Sequence, residues 1–388
     1  MDLAKPRKVN ILSINSGSST LKFAVFDKAA EKELATGVFE QSGGDVSSIF
    51  ASLAAQGIHD PIDTVGHRVV HGGTAFRETT LIDAKVFETL EETTHLAPLH
   101  NPPALKMIAA MRRVLPEADH FAVFDTSFFA ELPPRSTTYP LPYEWSERFG
   151  IRRYGFHGIS HAYCTTRAAE LLGRKNDSDL RLVICHLGSG CSASAVLGGH
   201  PVETTMGFTP MEGLMMATRS GSMDPGILLH LLKEKGFSAD QLDESLNHHS
   251  GLLGVSGISS DFRVLQTAAR SGNQRAQLAL DMFVDRIRAA IGALAVTLGG
   301  IDALVFTGGI GEHSITLRSR VCKGLSCLSL LLDEEKNQCA PADSDIAQTG
   351  SKGRILTIHT REELMIAREC ATETYGARGN QRGQCYTG

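Results

Sequence analysis

The chain has 388 residues, 42% of them hydrophobic and 21% charged, with a net charge of -5. That length exceeds what one hydrophobic core normally supports, so two domains are expected. The modest charge excludes the basic footprint of a nucleic-acid binder, and every apolar run is too short or too broken by glycine and charge to predict a membrane span.

The first eight residues are charged, carry Pro6 and have no apolar stretch behind them, so no secretory signal is expected. Residues 9–14 form a strand-length apolar run leading into Asn15-Ser16-Gly17-Ser18-Ser19-Thr20-Leu21-Lys22, and residues 23–27 predict a second strand. A tight turn of small hydroxylated residues lines up backbone N–H groups as an anion-binding concavity. The glycine permits close approach, and Lys22 adds positive charge. A plain hairpin turn uses the same residues, and on this segment alone both readings stand. A turn at 28–32 and a third strand ending near Phe39 follow.

Gly66-His67-Arg68-Val69-Val70-His71-Gly72-Gly73 places an arginine in a strand-like run closed by two glycines. The planar guanidinium fork suits carboxylate or phosphate, although a structural ion pair uses it equally well. Residues 101–115 show helical apolar spacing. Phe121-Ala122-Val123-Phe124-Asp125-Thr126 then ends a buried strand in an aspartate, where α/β sheets collect ligands and where aspartates also cap helices. His157 opens a helical pattern over 157–172 that includes His161. An i, i+4 histidine pair can hold zinc, as can His67 and His71, but neither pair has the glutamate of H-E-x-x-H. The context favours a His157 that donates to developing phosphoryl charge.

Residues 182–185, the turn Gly188-Ser189-Gly190, the alternating segment 192–197, the turn Gly198-Gly199 and a third strand-like piece repeat the order of residues 9–39. Two such units half a chain apart predict two domains of like topology facing each other, with their turns toward a shared cleft; chance recurrence of β-meanders is the alternative. Ala217-Thr218-Arg219-Ser220-Gly221 sets a second arginine in a small-residue turn. Residues 226–235 and 273–298 predict helices, the latter with Leu278, Met282, Ile287, Ile291, Leu294 and Leu298 on one side. The run 303–306 stops at Thr307-Gly308-Gly309-Ile310-Gly311-Glu312-His313, where clustered glycines let a flat ligand or phosphate lie on the backbone. Neither the P-loop nor the Rossmann spacing is matched. Strands alternating with helices predict an α/β architecture. The tail 376–388, rich in Gly, Gln and Arg, is expected to be disordered. Eight cysteines without a C-x-x-C pair, Cys185 in a strand-like run and Cys164 in a helix-like one, fit a reducing compartment better than a disulfide framework.

Segments 15–22, 67–73, 98–103, 124–126, 153–158, 186–190, 213–221, 260–263, 306–312 and 360–363 occur in the order found in the acetokinase family, and they span nearly the whole chain. The chain therefore resembles the acetate kinases, members of the acetate and sugar kinase, Hsp70 and actin superfamily. The resemblance implies two duplicated actin-like (ribonuclease H-like) domains with a nucleotide cleft between them: residues 1–150 plus 363–388, with the first phosphate loop and acyl site, and residues 151–362, with the second phosphate loop, adenosine loop and a homodimer interface. It implies reversible transfer of the ATP γ-phosphoryl group to acetate, giving ADP and acetyl phosphate in the cytoplasm, with no nucleic-acid or membrane partner.

By the same resemblance, Arg68 grips the acetate carboxylate, Asp125 orients the reacting oxygens or acts as acid/base, and His157 and Arg219 stabilise the moving phosphoryl group. Asn15 and Glu362 set Mg2+, with Mn2+ as a substitute, and Lys22 touches the nucleotide phosphates. His186, Leu187, Gly188, Ser189 and Gly190 form the second phosphate loop; Asp261, Phe262 and Arg263 contact the nucleotide. Gly309, Ile310, Gly311, Glu312 and His313 lie against its adenosine part. Val70, Leu99, Phe156 and Pro210 form the pocket for the acetate methyl group. Two departures stand out: Ser189 replaces the usual asparagine of the second loop, and Ser222 an aspartate after the arginine loop. A propionate or butyrate kinase shares every charged residue, whereas an actin- or chaperone-like ATPase switch would need no carboxylate grip.

Overall fold

The computed structural model describes residues 10–17, 20–27, 29–40 and 44–383, with side chains as far as residue 374. Two compact units divide the chain: Met1–Ala130 with Gly158–Ser160 and Arg361–Gly388, and Glu131–His157 with His161–Thr360. Each is built on one six-stranded mixed sheet.

In the first unit the strands are β1 (Asn10–Ser16), β2 (Thr20–Asp27), β3 (Glu33–Glu40), β4 (Ile62–Val69), β5 (Thr80–Leu81) and β6 (Asp119–Phe124). The sheet order is β3-β2-β1-β4-β6-β5; β1 to β3 form an antiparallel meander, β1, β4 and β6 are parallel, and β5 closes the edge antiparallel to β6. The second unit carries β7 (Arg181–Leu187), β8 (Cys191–Leu197), β9 (His200–Thr204), β10 (Ala303–Thr307), β11 (Ser344–Asp345) and β12 (Arg354–Thr357). Their order, β9-β8-β7-β10-β12-β11, repeats the first sheet strand for strand, including the short antiparallel edge strand inserted before the last parallel one. The expected α/β class with duplicated domains is present.

Parallel strands need crossover helices, and helices on the sheet explain why the central strands are apolar nearly throughout rather than alternating. In β4, Val65 joins a core cluster with Leu12, Ile14 and Met111, the last from the helix Asn101–Val114. The next residue, Gly66, points the other way, where a Cβ would lie 2.5 Å from Ile366 Cγ2 and 2.6 Å from Cys370 Sγ. The helix Glu362–Gly383 packs on β1 and β4 at this bare spot. That helix runs to Gly383, so residues 376–383 are helical where disorder was expected; they contain no proline and simply continue an established helix. Residues 384–388, Cys385 among them, lie outside the described residues, as do residues 1–9, Ser18 and Ser19.

In the second unit the helix Gln274–Thr297 packs on β8 and β9. Its buried stripe is Leu280, Phe283, Val284, Ile287, Ile291 and Leu294. Ile287, Ile291 and Leu294 were expected there, but Leu278 is 51% exposed, and Met282 and Leu298 are only half-buried. At 100° per residue, Leu278 sits about 200° around the helix from Leu280. Among the described residues no helix is long and apolar enough to cross a membrane. Cys164, Cys185, Cys191, Cys322 and Cys370 are buried, and Cys327 and Cys339 are exposed.

Candidate active site

The parallel strands β1, β4 and β6 end on one edge of the first sheet, where ligands of α/β folds collect. Asn15 ends the buried part of β1, Arg68 is the penultimate residue of β4, and Asp125 directly follows β6, its N–H donating to the Val69 carbonyl at 3.0 Å. Arg68 Nε and Nη2 donate to the two oxygens of Asp125 at 3.0 and 2.6 Å, and Arg68 Nη1 donates to Asn15 Oδ1 at 3.0 Å. Asn15 Nδ2 in turn donates to Glu362 Oε2 at 2.7 Å and Glu363 Oε1 at 2.9 Å. Burial would lower the Arg68 pKa, but Asp125, Glu362 and Glu363 outweigh it and hold the guanidinium above its ordinary value. The result is one continuous charged cluster, closed by the helix that begins at Glu362. Glu363 was not singled out from sequence. Its signal was the adjacent pair Glu362-Glu363 at a helix start, where both carboxylates can reach back to one amide.

Around this cluster, Lys22 lies on β2 directly opposite Asn15 and is exposed, and Gly17 N–H donates to Thr20 O at 2.8 Å to close the turn. Val70 is buried just past β4, whereas Leu99 is 42% exposed. His67 and His71 serve different partners. His67 Nε2 faces His120 Nδ1 at 3.0 Å, and His71 Nδ1 accepts from Gly73 N–H at 2.9 Å while Asn101 brackets its backbone.

The second unit assembles another site from backbone and imidazole. The loop after β7 closes with Gly188 N–H donating to Gly190 O at 3.0 Å. The loop after β10 stacks on it: Gly308 has φ +76°, and a Cβ there would lie 2.9 Å from Leu187 O. Only glycine fits both that conformation and that approach. A Cβ on Gly190 would lie 3.2 Å from His157 Nε2 and 3.7 Å from Arg219 Nη1, so these two donors flank one small residue. His157 precedes the helix Gly158–Leu171 with φ +59°, a left-handed conformation that is uncommon outside glycine and concentrates at functional sites. Its ring stacks on His186 with centroids 4.3 Å apart, and its Nδ1 lies 2.9 Å from Ser192 Oγ. Arg219 Nη1 donates to the Pro210 carbonyl at 2.9 Å.

Both departures from the family pattern fall in this region. Ser189 is exposed and its carbonyl accepts from Ala217 N–H at 3.1 Å, tying the glycine loop to the arginine loop. Ser222 Oγ accepts from Gly213 N–H at 3.0 Å while its own N–H donates to the Gly213 carbonyl, so it latches the arginine loop shut. Glu312 turns its carboxylate inward, accepting from Gly308 N–H, Thr360 N–H and His359 Nδ1 at 2.9, 3.1 and 2.7 Å. Burial alone would raise its pKa; hydrogen bonds from His359 and the Thr360 and Gly308 amides hold it below the ordinary value. Asp261 caps the helix Phe262–Arg270 and pairs with Arg263, whereas Phe262 is buried against Phe283 at 5.6 Å. His313 Nδ1 bonds the Gly309 carbonyl, and Phe156 is fully buried. Ser192 was missed by sequence reasoning; its signal is that Ser192 and Ser194 share one face of an otherwise apolar buried strand.

The model of the Acetokinase family matches residues 42–368. The chain belongs to the acetokinase family. Among curated relatives, the acetate kinase of Gloeobacter violaceus is 50% identical over 353 residues, covering 90% of this chain and 87% of the relative. The acetate kinase of Nostoc punctiforme is 48% identical, covering 91% and 85%. Among solved structures, an acetate kinase from Porphyromonas gingivalis has a TM-score of 0.84 at 36% identity, covering 94% of this chain and 99% of that one. Both sites described above lie within the stretch the acetokinase model matches, apart from Asn15 and Lys22 at its N-terminal side.

Proposed function

We infer that the chain is an acetate kinase, transferring the γ-phosphoryl group of ATP to acetate and running the reverse reaction. The likeness to acetate kinases over nine-tenths of the chain carries this reading, and the two polar sites suit the chemistry. Phosphoryl transfer is mostly alignment and charge neutralisation. Arg68 binds the acetate carboxylate by exchanging part of its pairing with Asp125. Asp125, paired with the guanidinium through both its oxygens, orients the acceptor. His157 and Arg219 donate to the equatorial oxygens of the moving group, where charge develops. Lys22, the His186 to Gly190 loop, Asp261, Arg263 and the Gly309 to His313 loop hold the nucleotide, with Glu312 acting by pinning the loop and Phe262 by packing. Val70, Leu99, Phe156 and Pro210 are the residues assigned to the methyl group by the likeness to acetate kinases.

Asn15, Glu362 and Glu363 offer oxygen atoms alone, two of them carboxylates converging on one amide. No group of three or more His, Cys, Asp or Glu among the described residues is placed to hold a metal. A sparse oxygen set fits Mg2+, which keeps waters and shares phosphate oxygens, and suits Mn2+ as a substitute. When bound, the ion neutralises phosphate charge. A homodimer is supported by the helix Pro225–Glu234, which buries none of its residues and leaves Ile227, Leu229 and Leu232 exposed at 48%, 54% and 39%. A cytoplasmic setting suits the buried thiols, since burial pushes Cys185 and Cys370 up and keeps them protonated.

A propionate kinase from Francisella tularensis, 34% identical with a TM-score of 0.83, supports the chain-length alternative. Each added methylene is worth about 0.8 kcal/mol, a few-fold in kcat/KM, so the acids must be compared directly. Trapping acyl phosphate as hydroxamate from acetate, propionate and butyrate tests the reading. Acetate giving the highest kcat/KM is expected, and ATP consumption without hydroxamate from any acid overturns it.

A further inference from the structure

Behind His157 runs a buried chain of hydrogen bonds with no role in the reaction as described. His157 Nδ1 lies 2.9 Å from Ser192 Oγ; the same oxygen lies 2.8 Å from His161 Nε2; and His161 Nδ1 lies 2.7 Å from Ser194 Oγ. Ser192, His161 and Ser194 are each fully buried. Ser192 and Ser194 face the same side of β8, and His161 stands one helical turn beyond His157. We propose that Ser194, His161 and Ser192 are positioning residues that fix the tautomer of His157, keeping its proton on Nε2, the nitrogen beside Gly190 and Arg219. The proposal rests on the phosphoryl-facing role given to His157 above.

The argument is a count of protons. His161 is neutral, because burial, reinforced by His186, holds its ring well below the ordinary value of 6.5. It therefore carries one N–H, and each serine carries one O–H. Those three protons must fill three hydrogen bonds. His161 is the one partner of the Ser194 hydroxyl among the described residues, so that buried hydrogen is satisfied only by donation to His161 Nδ1. The His161 proton is then on Nε2 and is donated to Ser192 Oγ. The Ser192 hydrogen has one remaining destination, His157 Nδ1. A ring that accepts at Nδ1 carries its proton at Nε2. Running the chain backwards puts the His157 proton on Nδ1 and strands the Ser194 hydrogen in the core. Letting Ser192 accept from both rings strands its own. Ser194 thus sets a direction that reaches His157 through two intervening groups.

The groups facing His157 include His186, stacked on its ring, Arg219 across Gly190, and Ser192. Ser192 Oγ stands at Nδ1 itself, so the direction set by Ser194 and His161 reaches the ring there. A neutral Nε2–H beside the Arg219 guanidinium supplies a directed donor without a second full charge, and it requires no reorientation during transfer.

The test uses the full chain labelled with nitrogen-15 histidine, and reads the His157 nitrogens by NMR in wild type, Ser192→Ala, Ser192→Thr and Ser194→Ala, beside kcat and KM. Wild type and Ser192→Thr should show a protonated Nε2 and an unprotonated Nδ1. Ser192→Ala and Ser194→Ala should show both tautomers. Losses in kcat of about tenfold to a hundredfold for Ser192→Ala, and a smaller one for Ser194→Ala, should come with KM values for acetate and ATP within about twofold. A merely structural role would not move the tautomer from Ser194, which does not touch His157. An unchanged Nε2 signal in both alanine variants, or a wild-type proton on Nδ1, overturns the proposal. Because the NMR readout needs no turnover, failure of the kinase reading would appear separately, as wild-type enzyme yielding no acyl phosphate.

Discussion

Replacing Arg68 should cost the first unit more stability than replacing its bidentate partner Asp125, although the two share the same pair of hydrogen bonds. The reason is the charge left behind. Arg68 is bonded into a cluster that also holds Asp125, Glu362 and Glu363, and all three carboxylates act on it. With Asp125→Asn, Arg68 still faces two carboxylates and keeps its bond to Asn15 Oδ1. With Arg68→Met, three carboxylates lose the guanidinium they share, in a site where Asp125 is 2% exposed. Removing one partner of a buried pair typically costs about 3–5 kcal/mol, and Arg68→Met should reach that range while Asp125→Asn stays below about half of it. In a unit of about 160 residues, the larger loss corresponds to a fall in Tm of roughly 10 °C. Scanning calorimetry at pH 7 with and without MgCl2 reads both effects. Mg2+ should recover more of the loss in Arg68→Met, because that variant leaves the carboxylates needing a cation. Equal losses in the two variants, or a Mg2+ effect no larger than in wild type, would refute the charge argument.

Three further outcomes are expected. Arg219→Ala should lower kcat by several orders of magnitude and leave the ATP KM within a few-fold, since its contact strengthens in the transition state; a change confined to KM would remove it from that role. Gly190→Ala sets a methyl group 3.2 Å from His157 Nε2, so kcat should fall about tenfold or more while Tm moves by no more than about 2 °C, and unchanged kcat would show that His157 does not work from this position. Acid should destabilise the fold well above the carboxylate range. Burial first, then a neighbouring histidine, holds His67 and His161 well below 6.5. The unfolded chain takes up protons as pH falls through about 6.5 and the folded chain does not, so each residue contributes up to about 1.4 kcal/mol of lost stability per pH unit from there down. Urea denaturation at pH 7.5, 6.5 and 5.5 would show it, and a flat profile below 6.5 would contradict their burial in the neutral form.

The elements legible from sequence were those set by local chemistry. The two meanders, β1 to β3 and β7 to β9, announce themselves through apolar runs and small-residue turns, and their likeness revealed the duplication. What sequence did not show is how the sheets continue, because β4 and β6 join β1 across long crossovers. The same holds for the charged cluster. Asn15, Arg68, Asp125 and Glu362 could each be singled out, but nothing local says that Asn15 bonds a helix start 347 residues away. Leu278 and Phe262 misled for a related reason. An apolar residue at plausible helical spacing, or beside Asp261 and Arg263, looks the same whether it faces core, solvent or ligand.

Duplication of the sheet has not meant duplication of its chemistry. In the first unit, the ends of β1, β4 and β6 present the side chains of Asn15, Arg68 and Asp125, joined by hydrogen bonds of 2.6 to 3.0 Å. In the second, the equivalent ends of β7 and β10 run at once into Gly188 and Gly308, with the His186 ring of β7 stacked on His157. The polar groups there, His157 and Arg219, arrive from outside the sheet and close over glycine. The two sites should therefore fail differently. The first is sensitive to loss of charge at near-constant volume, as in Arg68→Met, because three carboxylates act on one guanidinium. The second is sensitive to a single added methyl at constant charge, as in Gly190→Ala, because a Cβ there would stand 3.2 Å from His157 Nε2, closer than a side chain normally packs.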